Sequence, residues 1–374
     1  DTQRIRSPIP CCTMVGGRSL PLAVGLALLA VSLAIPTFDK SEKKGLSGLD
    51  LEKELHDKFV SWKSEFGKIY EGAEHIEKFA VFKANLEIIE AHNKLYEAGE
   101  ETFHMAANMF ADMTNEQYSK TMLGYRPDLK PLESGPGGHG KACKHRDSTN
   151  VTKHIDWRTM NAVTNVKNQG QCGSCWSFST TGSVEGAWAV AGHPLVSLSE
   201  EELVQCDTRS DEGCNGGLMD NAYQWIIQNG GIASEEVYPY ISGNGTRGMC
   251  HMVTLKTKVA SIEDWCDLNV GDEKDLELAL MQQPVAVAIE ADQTSFQFYS
   301  GGVLPSKKCG TKLDHGVLAV GFGYSKKHKM HYWIVKNSWG SQWGDEGYIM
   351  LQKMSPHTHH SCCGIANAAS YPVV

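Results

Sequence analysis

Long apolar runs are scarce in this 374-residue chain. One stands out, Leu20 to Ile35, and Pro21, Gly25 and Ser32 break it. A membrane-spanning helix needs about 20 consecutive apolar residues, so no stable span is expected once this segment is removed. Basic residues are also outnumbered, 35 Lys and Arg against 44 Asp and Glu, for a net charge of -9. Phosphate binding wants clustered cations, which sets nucleic acid aside as a partner. No repeat recurs at a solenoid period. No paired C-x-x-C and H-x-x-x-H set offers zinc ligands, and neither a metal nor a cofactor is expected. What is present is an ordinary globular composition, 41% hydrophobic and 9% aromatic. At about 100–200 residues per domain the length suits two or three units, enough for a core that builds a buried site.

The N-terminal region reads as targeting sequence. Met14 is taken as the start, with residues 1–13 as upstream translated sequence. Arg18, the apolar run and the small residues around Ser32-Leu33-Ala34 make 14–34 a signal peptide. Cys11 and Cys12 then have no role. Ten of the twelve cysteines follow, and on the secretory route they imply disulfides. Asn150-Val151-Thr152 and Asn244-Gly245-Thr246 are glycosylation candidates at Asn150 and Asn244. The product is expected to be lysosomal or secreted.

Residues 51–98 read as amphipathic helix. Leu51, Leu55, Phe59, Trp62 and Phe66 recur at helical spacing, then Phe79, Phe82, Leu86 and Ile89. Residues 129–150 hold Pro131, Gly135, Pro136, Gly137, Gly138 and Gly140 and little to bury, so they read as a protease-sensitive linker. From about residue 151 the texture is that of a compact domain. A helix with Val184, Ala187, Trp188 and Ala191 on one face stops at Gly192 and Pro194. Strand-like runs follow at Val285–Ile289, Gly316–Gly321, His331–Val335 and Tyr348–Leu351. A helix-rich half and a strand-rich half predict an α+β fold with a cleft at the seam.

The most informative stretch is Gln169-Gly170-Gln171-Cys172-Gly173-Ser174-Cys175-Trp176. Two glycines permit a tight loop before a helix, which puts Cys175 at a helix N-terminus. There, free N–H groups and the dipole favour an anion, so a lowered thiol pKa is expected. Taken singly, a cysteine in a secreted chain is usually a disulfide partner, and Cys172 fills that role while Cys175 stays free. A nucleophilic thiol needs a base and a group to orient that base. His315 in Leu313-Asp314-His315-Gly316 and Asn337 in Asn337-Ser338-Trp339-Gly340 complete a Cys, His, Asn set.

With these residues the chain resembles the papain-like cysteine proteases, and among them the cathepsin L group. Cys172-Gly173-Ser174-Cys175-Trp176 matches the signature C-G-[SA]-C-[WY]. His315 stands 140 positions after Cys175, inside the usual range, and Asn337 stands 162 after it, slightly beyond. The resemblance implies a papain-like two-subdomain fold: a helical left part, a barrel-like right part and a cleft between, preceded by a helical propeptide over 35–150. The mature peptidase would span 151–374. It implies Cys175 as nucleophile, His315 as acid–base, Asn337 as its orienter under Trp339, and Gln169 as oxyanion donor. It implies the bridges Cys172–Cys214, Cys206–Cys250 and Cys309–Cys363, and leaves Cys143, Cys266 and Cys362 unassigned. Gly173, Gly216, Gly217 and Asp314 would meet substrate backbone. Leu218, Met219, Ala288, Leu313, Gly316 and Ala368 would line an apolar P2 pocket with no acid at its base.

Glu74, Lys78, Val81, Phe82, Asn85, Ile89 and Asn93 follow the ERFNIN spacing of the group's inhibitory propeptides. Asn108, Phe110 and Asp112 follow GNFD, with Ala106 in place of Gly. The implied partners are protein and peptide substrates, the chain's own propeptide and cystatin-type inhibitors, with a monomeric mature enzyme released in acid. Cys172-Gly173-Ser174-Cys175 has redox C-x-x-C spacing, but Trp176 follows it rather than preceding it. A non-proteolytic, silicatein-like protein on the same fold would carry Ser at the nucleophile, against Cys175. A cathepsin B-like insertion between Cys175 and Gly217 and a cathepsin H-like octapeptide are both absent, which favours endopeptidase action.

Overall fold

The computed structural model describes residues 48–129, 152–251, 257–354 and 361–374. The signal peptide, the linker from residue 130, Cys143, Asn150 and the expected mature start at Val151 lie outside them. Two compact units divide at Leu51. The described part of the first, 48–51, is the opening turn of a helix; everything below concerns the second.

Helices α1 (Gly48–Glu65) and α2 (Gly72–Glu97) are separated by a turn at Gly67. The periodic apolar residues meet: Phe59 and Trp62 of α1 each sit 5.2 Å from the Phe82 ring of α2. Such aromatic pairs add about 0.5–1.5 kcal/mol each beyond burial. The polar motif residues tie α2 to the segment that follows. Asn85 Nδ2 donates to the carbonyls of Ala111 and Met113, both at 2.9 Å, and Asn93 both donates to and accepts from Met105. That segment holds β1 (Phe103–Met105) and α3 (Asn115–Met122), whose N-terminus carries a capping box between Thr114 and Gln117. At Ala106 the backbone N–H donates to Phe298 O at 2.9 Å, so alanine fits this turn.

In the larger part, β2 (Ile155–Asp156) precedes α4 (Cys175–Val190), α5 (Glu200–Cys206) and α6 (Met219–Gln228). Then come β3 (Asp264–Asp267), α7 (Glu273–Leu280), β4 (Val285–Ile289), α8 (Thr294–Gln297), β5 (Tyr299–Leu304), β6 (His315–Ser325), β7 (Met330–Lys336), β8 (Tyr348–Gln352) and β9 (Ala369–Val373). The helices lead and the strands follow, as the α+β reading expects. The sheet runs β1-β5-β8-β7-β6-β4-β9-β3, with β2 on β6. Its neighbours are antiparallel except β5 with β8. Thus β1, from the N-terminal helical segment, extends the sheet of the larger part. Every residue of α4 from Cys175 to Ala187 is buried, not only the face with Val184 and Ala187. Its small residues permit this: Gly186 meets Pro284, Gly182 meets Leu318, and Ser179 Oγ donates to Val317 O on β6. The helix lies against the sheet, and its N-terminus points at the start of β6.

Candidate active site

Cys175 opens α4, and the Cys172–Cys214 disulfide pins the loop before it, with Gly173 N–H on Cys214 O at 2.9 Å. His315 opens β6, opposite Ile289 of β4. The two starts meet where Gly316 N–H donates to Cys175 Sγ at 3.3 Å. His315 Nε2 and Asn337 Oδ1 are 2.8 Å apart, and Oδ1 also accepts from Ser338 N–H. The other ring nitrogen, Nδ1, is buried with no hydrogen-bond partner among the described residues. Trp339 stacks on the imidazole with centroids 4.8 Å apart and covers the hydrogen bond to Asn337.

The electrostatics run against one expectation. A helix N-terminus favours a thiolate, yet burial pushes the Cys175 thiol up to about 11, outweighing the N–H groups of Gly316, Gly124 and Trp176 that lower it. Burial likewise takes His315 down to about 4, the Asn337 hydrogen bond opposing. Both groups are therefore neutral near pH 7. Residues 122–126 lie over Cys175 and contribute to its burial. Gln169 Nε2 donates to Met122 O and Cys172 O, each at 2.9 Å, while its Oε1 accepts from Ser338 Oγ at 2.6 Å. Gly124 fits against Gly173, whose carbonyl oxygen would lie 1.9 Å from any Cβ at position 124. Gly217 N–H donates to Gly124 O at 3.0 Å, Arg126 N–H to Gly217 O at 3.2 Å, and Tyr125 N–H to Asp314 O at 2.9 Å. The segment runs parallel to the strand at Gly217.

Beside it lies a cavity of about 210 Å³ lined by Leu218, Met219, Leu268, Val270, Ala368 and Tyr125 itself. Ala288 and Gly316 pair across β4 and β6 behind it, Gly316 touching Met219 Sδ, and Leu313 packs on the same core as Tyr125. Asp220 and Asp267 line the cavity too, Asp267 exposed to solvent and Asp220 accepting from Ser370 Oγ at 2.8 Å. Asp267 comes from β3, nearly 50 positions along the chain from Asp220, so sequence proximity could not reveal it. Gly216, at φ 111, faces the Arg126 side chain.

The other bridges in the structure are Cys206–Cys250 and Cys309–Cys363. Cys362 is a buried free thiol 3.8 Å from Cys363 Sγ, whereas Cys266 is disulfide-bonded, so these two do not pair with each other. Asn244 is exposed in a short turn, its Oδ1 accepting from Thr246 N–H at 2.9 Å. Met122, Gly124 and Tyr125 were not singled out from sequence. Their contacts are mostly backbone contacts, which leave no side-chain signature.

The pattern of papain family cysteine proteases matches residues 151–373, and that of the cathepsin propeptide inhibitor domain matches 59–118. Cysteine protease XCP2 of Arabidopsis thaliana is 43% identical, covering 94% of this chain and 96% of the relative. Cysteine endopeptidase RepA of Oryza sativa is 42% identical over 87% of this chain and 88% of its own length. Among solved structures, the proform of the ragweed pollen cysteine protease Amb a 11 superimposes with TM-score 0.76 at 35% identity. It covers 88% of this chain and 96% of the ragweed one. Digestive procathepsin L 3 of Tenebrio molitor gives 0.74 at 39%, covering 86% and 99%.

Proposed function

The chain belongs to the papain family of cysteine proteases, a cysteine endopeptidase with an inhibitory propeptide, and from that premise we propose how its residues act. The observation that carries the reading is the buried junction of α4 and β6. There Cys175 meets the start of β6, with His315 Nδ1 unpartnered and Nε2 held by Asn337. With the propeptide gone, His315 Nδ1 takes the Cys175 proton and the sulfur attacks the scissile carbonyl carbon. The carbonyl electron pair moves to oxygen, where Gln169 Nε2 and the Cys175 N–H receive it. The Met122 carbonyl already uses that Gln169 donor. Losing such a donor costs about 2.7–4 kcal/mol of transition-state stabilisation. The imidazolium then protonates the leaving amine, and water, activated by the same imidazole, hydrolyses the thioester.

Gly217 and Asp314 pair with substrate backbone as they pair with residues 124–126, and Gly216 leaves room beside them. The Tyr125 ring at the cavity of Leu218, Met219 and Ala368 supports a bulky hydrophobic P2 side chain, the cathepsin L-like preference. The mature domain begins near Val151, acts as a monomer and accepts cystatin-type inhibitors in the same cleft. Residues 14–34 direct it to secretion or to a lysosome or vacuole, with glycans at Asn150 and Asn244. Activation occurs in acid, and the ion pairs that the propeptide gives up as it leaves are Glu101 with Lys308 at 2.7 Å and Arg126 with Glu212 at 3.0 Å.

The test is turnover of peptides with Phe or Leu at P2 by acid-activated zymogen. Cys175→Ala should lower kcat/KM on the order of 10⁴-fold or more. Retained turnover in that variant rejects the mechanism, and a P2 preference for Arg over Leu rejects the pocket assignment.

A further inference from the structure

Beneath the strand that pairs with Tyr125 lies a second pair of acids that no catalytic step uses. Asp207 follows α5 and Asp211 lies in the loop closed by Cys214, and the two are only 2% and 3% exposed. Asp211 Oδ1 accepts from Leu218 N–H at 2.9 Å and from Asn221 Nδ2 at 3.1 Å, so this carboxyl grips the end of the strand and the first turn of α6. Gly217 is wedged between the same carboxyl and the Trp176 indole: a Cβ there would lie 2.8 Å from Asp211 Cγ and 2.6 Å from Trp176 Cδ2. Asp207 Oδ2 and Asp211 Oδ2 are both buried, and no N–H or O–H among the described residues reaches either. Yet the two carboxyls are within hydrogen-bonding reach of one another. Two carboxylates offer four acceptors and no donor. A single proton between them turns one orphan oxygen into a donor and satisfies the other.

We propose that Asp207 and Asp211 are positioning residues, a carboxyl pair sharing one proton that holds Gly216–Leu218 in register for substrate and ties substrate affinity to acidic pH.

The surroundings leave the proton as the neutralising charge. Glu212 from the same loop adds negative potential, and the Arg126 that pairs with it belongs to the propeptide. From α5, Glu201 turns to Ser242 and Glu202 to Lys258, while Asp220 of α6 turns to Ser370. Asn221 of α6 and Trp176 of α4 do not titrate. Arg209 is exposed, and Arg247 lays its stem on Gly213. Burial and the neighbouring acid push Asp207 well up, and burial pushes Asp211 up as well. The ordered loop thus binds a proton that separated, solvated carboxyls would release near pH 4. Ordering is strongest in acid and weakens as pH rises, because the folded arrangement holds the extra proton.

The proposal rests on the reading of Gly216–Leu218 as the substrate-pairing strand. The experiment measures KM and kcat separately for a hydrophobic-P2 peptide from pH 4.5 to about 9.5 in the activated enzyme, in Asp211→Asn and in Asp207→Asn. In the wild type KM should rise about tenfold across that range. In Asp211→Asn the amide donates to Asp207 and its Oδ1 still receives Leu218 N–H, so KM should stay within about twofold while the pH limbs of kcat keep their positions. Asp207→Asn should do the same, and carries the test if Asp211→Asn fails to fold. A flat wild-type KM, or variants whose KM climbs as the wild type does, overturns the proposal while leaving the site intact. A wild type with no Cys175-dependent turnover overturns both the site reading and the proposal.

Discussion

The propeptide meets the enzyme in two chemically different ways. Its body, from α1 to α3, docks through side chains and through β1, which pairs with β5 of the larger part. Phe110 stands edge-on to Trp339 with centroids 5.1 Å apart, Asn108 Nδ2 donates to Gln297 O at 2.8 Å, and Tyr118 OH donates to Ala291 O at 2.8 Å. Its tail, residues 122–126, crosses Cys175 mainly through backbone N–H and C=O groups, the Arg126 side chain adding an ion pair to Glu212. The body packs on Trp339, which stacks on the imidazole, while the tail lies over the thiol whose burial keeps it protonated. Affinity and latency are therefore lodged in separate segments, and variants can pull them apart.

The largest effect should come from the body. Phe110→Ala removes a buried ring, at about 3–5 kcal/mol. Since the ring bridges propeptide and catalytic domain, most of that falls on docking. Alkylation of Cys175 in the intact zymogen, followed by mass spectrometry, should accelerate at least a hundredfold. An unchanged rate would mean that the tail alone holds the cleft closed. Gly124→Ala attacks the tail instead. Its methyl cannot fit against Gly173 O, so the strand at Gly217 is released and labelling should rise tenfold to a hundredfold. The melting temperature should move by only a degree or two, because the body remains docked. A large loss of stability would show that the two segments form one cooperative unit.

The same division explains what could be read from the chain. The nucleophile loop was legible because its chemistry is local, from Cys172 to Trp176. The body was legible because Asn85, Asn93 and Phe110 act through side chains at fixed spacing. The tail was not, since any residue can make its hydrogen bonds and only Gly124 is sterically required. The helix position of Cys175 argued for an easily ionised thiol, but the thiol's environment is set by residues some 50 positions upstream. Asp267 escaped notice at the pocket because β3 delivers it through the sheet.

Acid should stabilise the catalytic domain. Burial pushes both Glu273 and Asp314 up to about 7, so the fold retains protons there that the unfolded chain releases near pH 4. Between pH 4 and 7 the native state binds more protons, and stability falls as pH rises. Thermal melting of activated, inhibitor-blocked enzyme should drop by about 5–10 °C from pH 5 to pH 8. A melting temperature that climbs over this range would mean these carboxyls are ionised in the native state.

The smallest effect tests the joint between body and tail. Thr114 Oγ1 accepts from Gln117 N–H at 3.2 Å while Gln117 Oε1 accepts from Thr114 N–H at 3.0 Å, which starts α3. That helix carries Tyr118 onto Ala291 at one end and delivers the Met122 carbonyl to Gln169 at the other. Thr114→Ala should cost about 1 kcal/mol, and about fivefold in Cys175 labelling if the loss falls on docking. Thr114→Ser should restore the wild-type rate, because the hydroxyl alone makes the cap. A rise as large as that of Gly124→Ala would instead make α3 the element that seats the tail, and the backbone contacts at Gly217 a consequence of its placement.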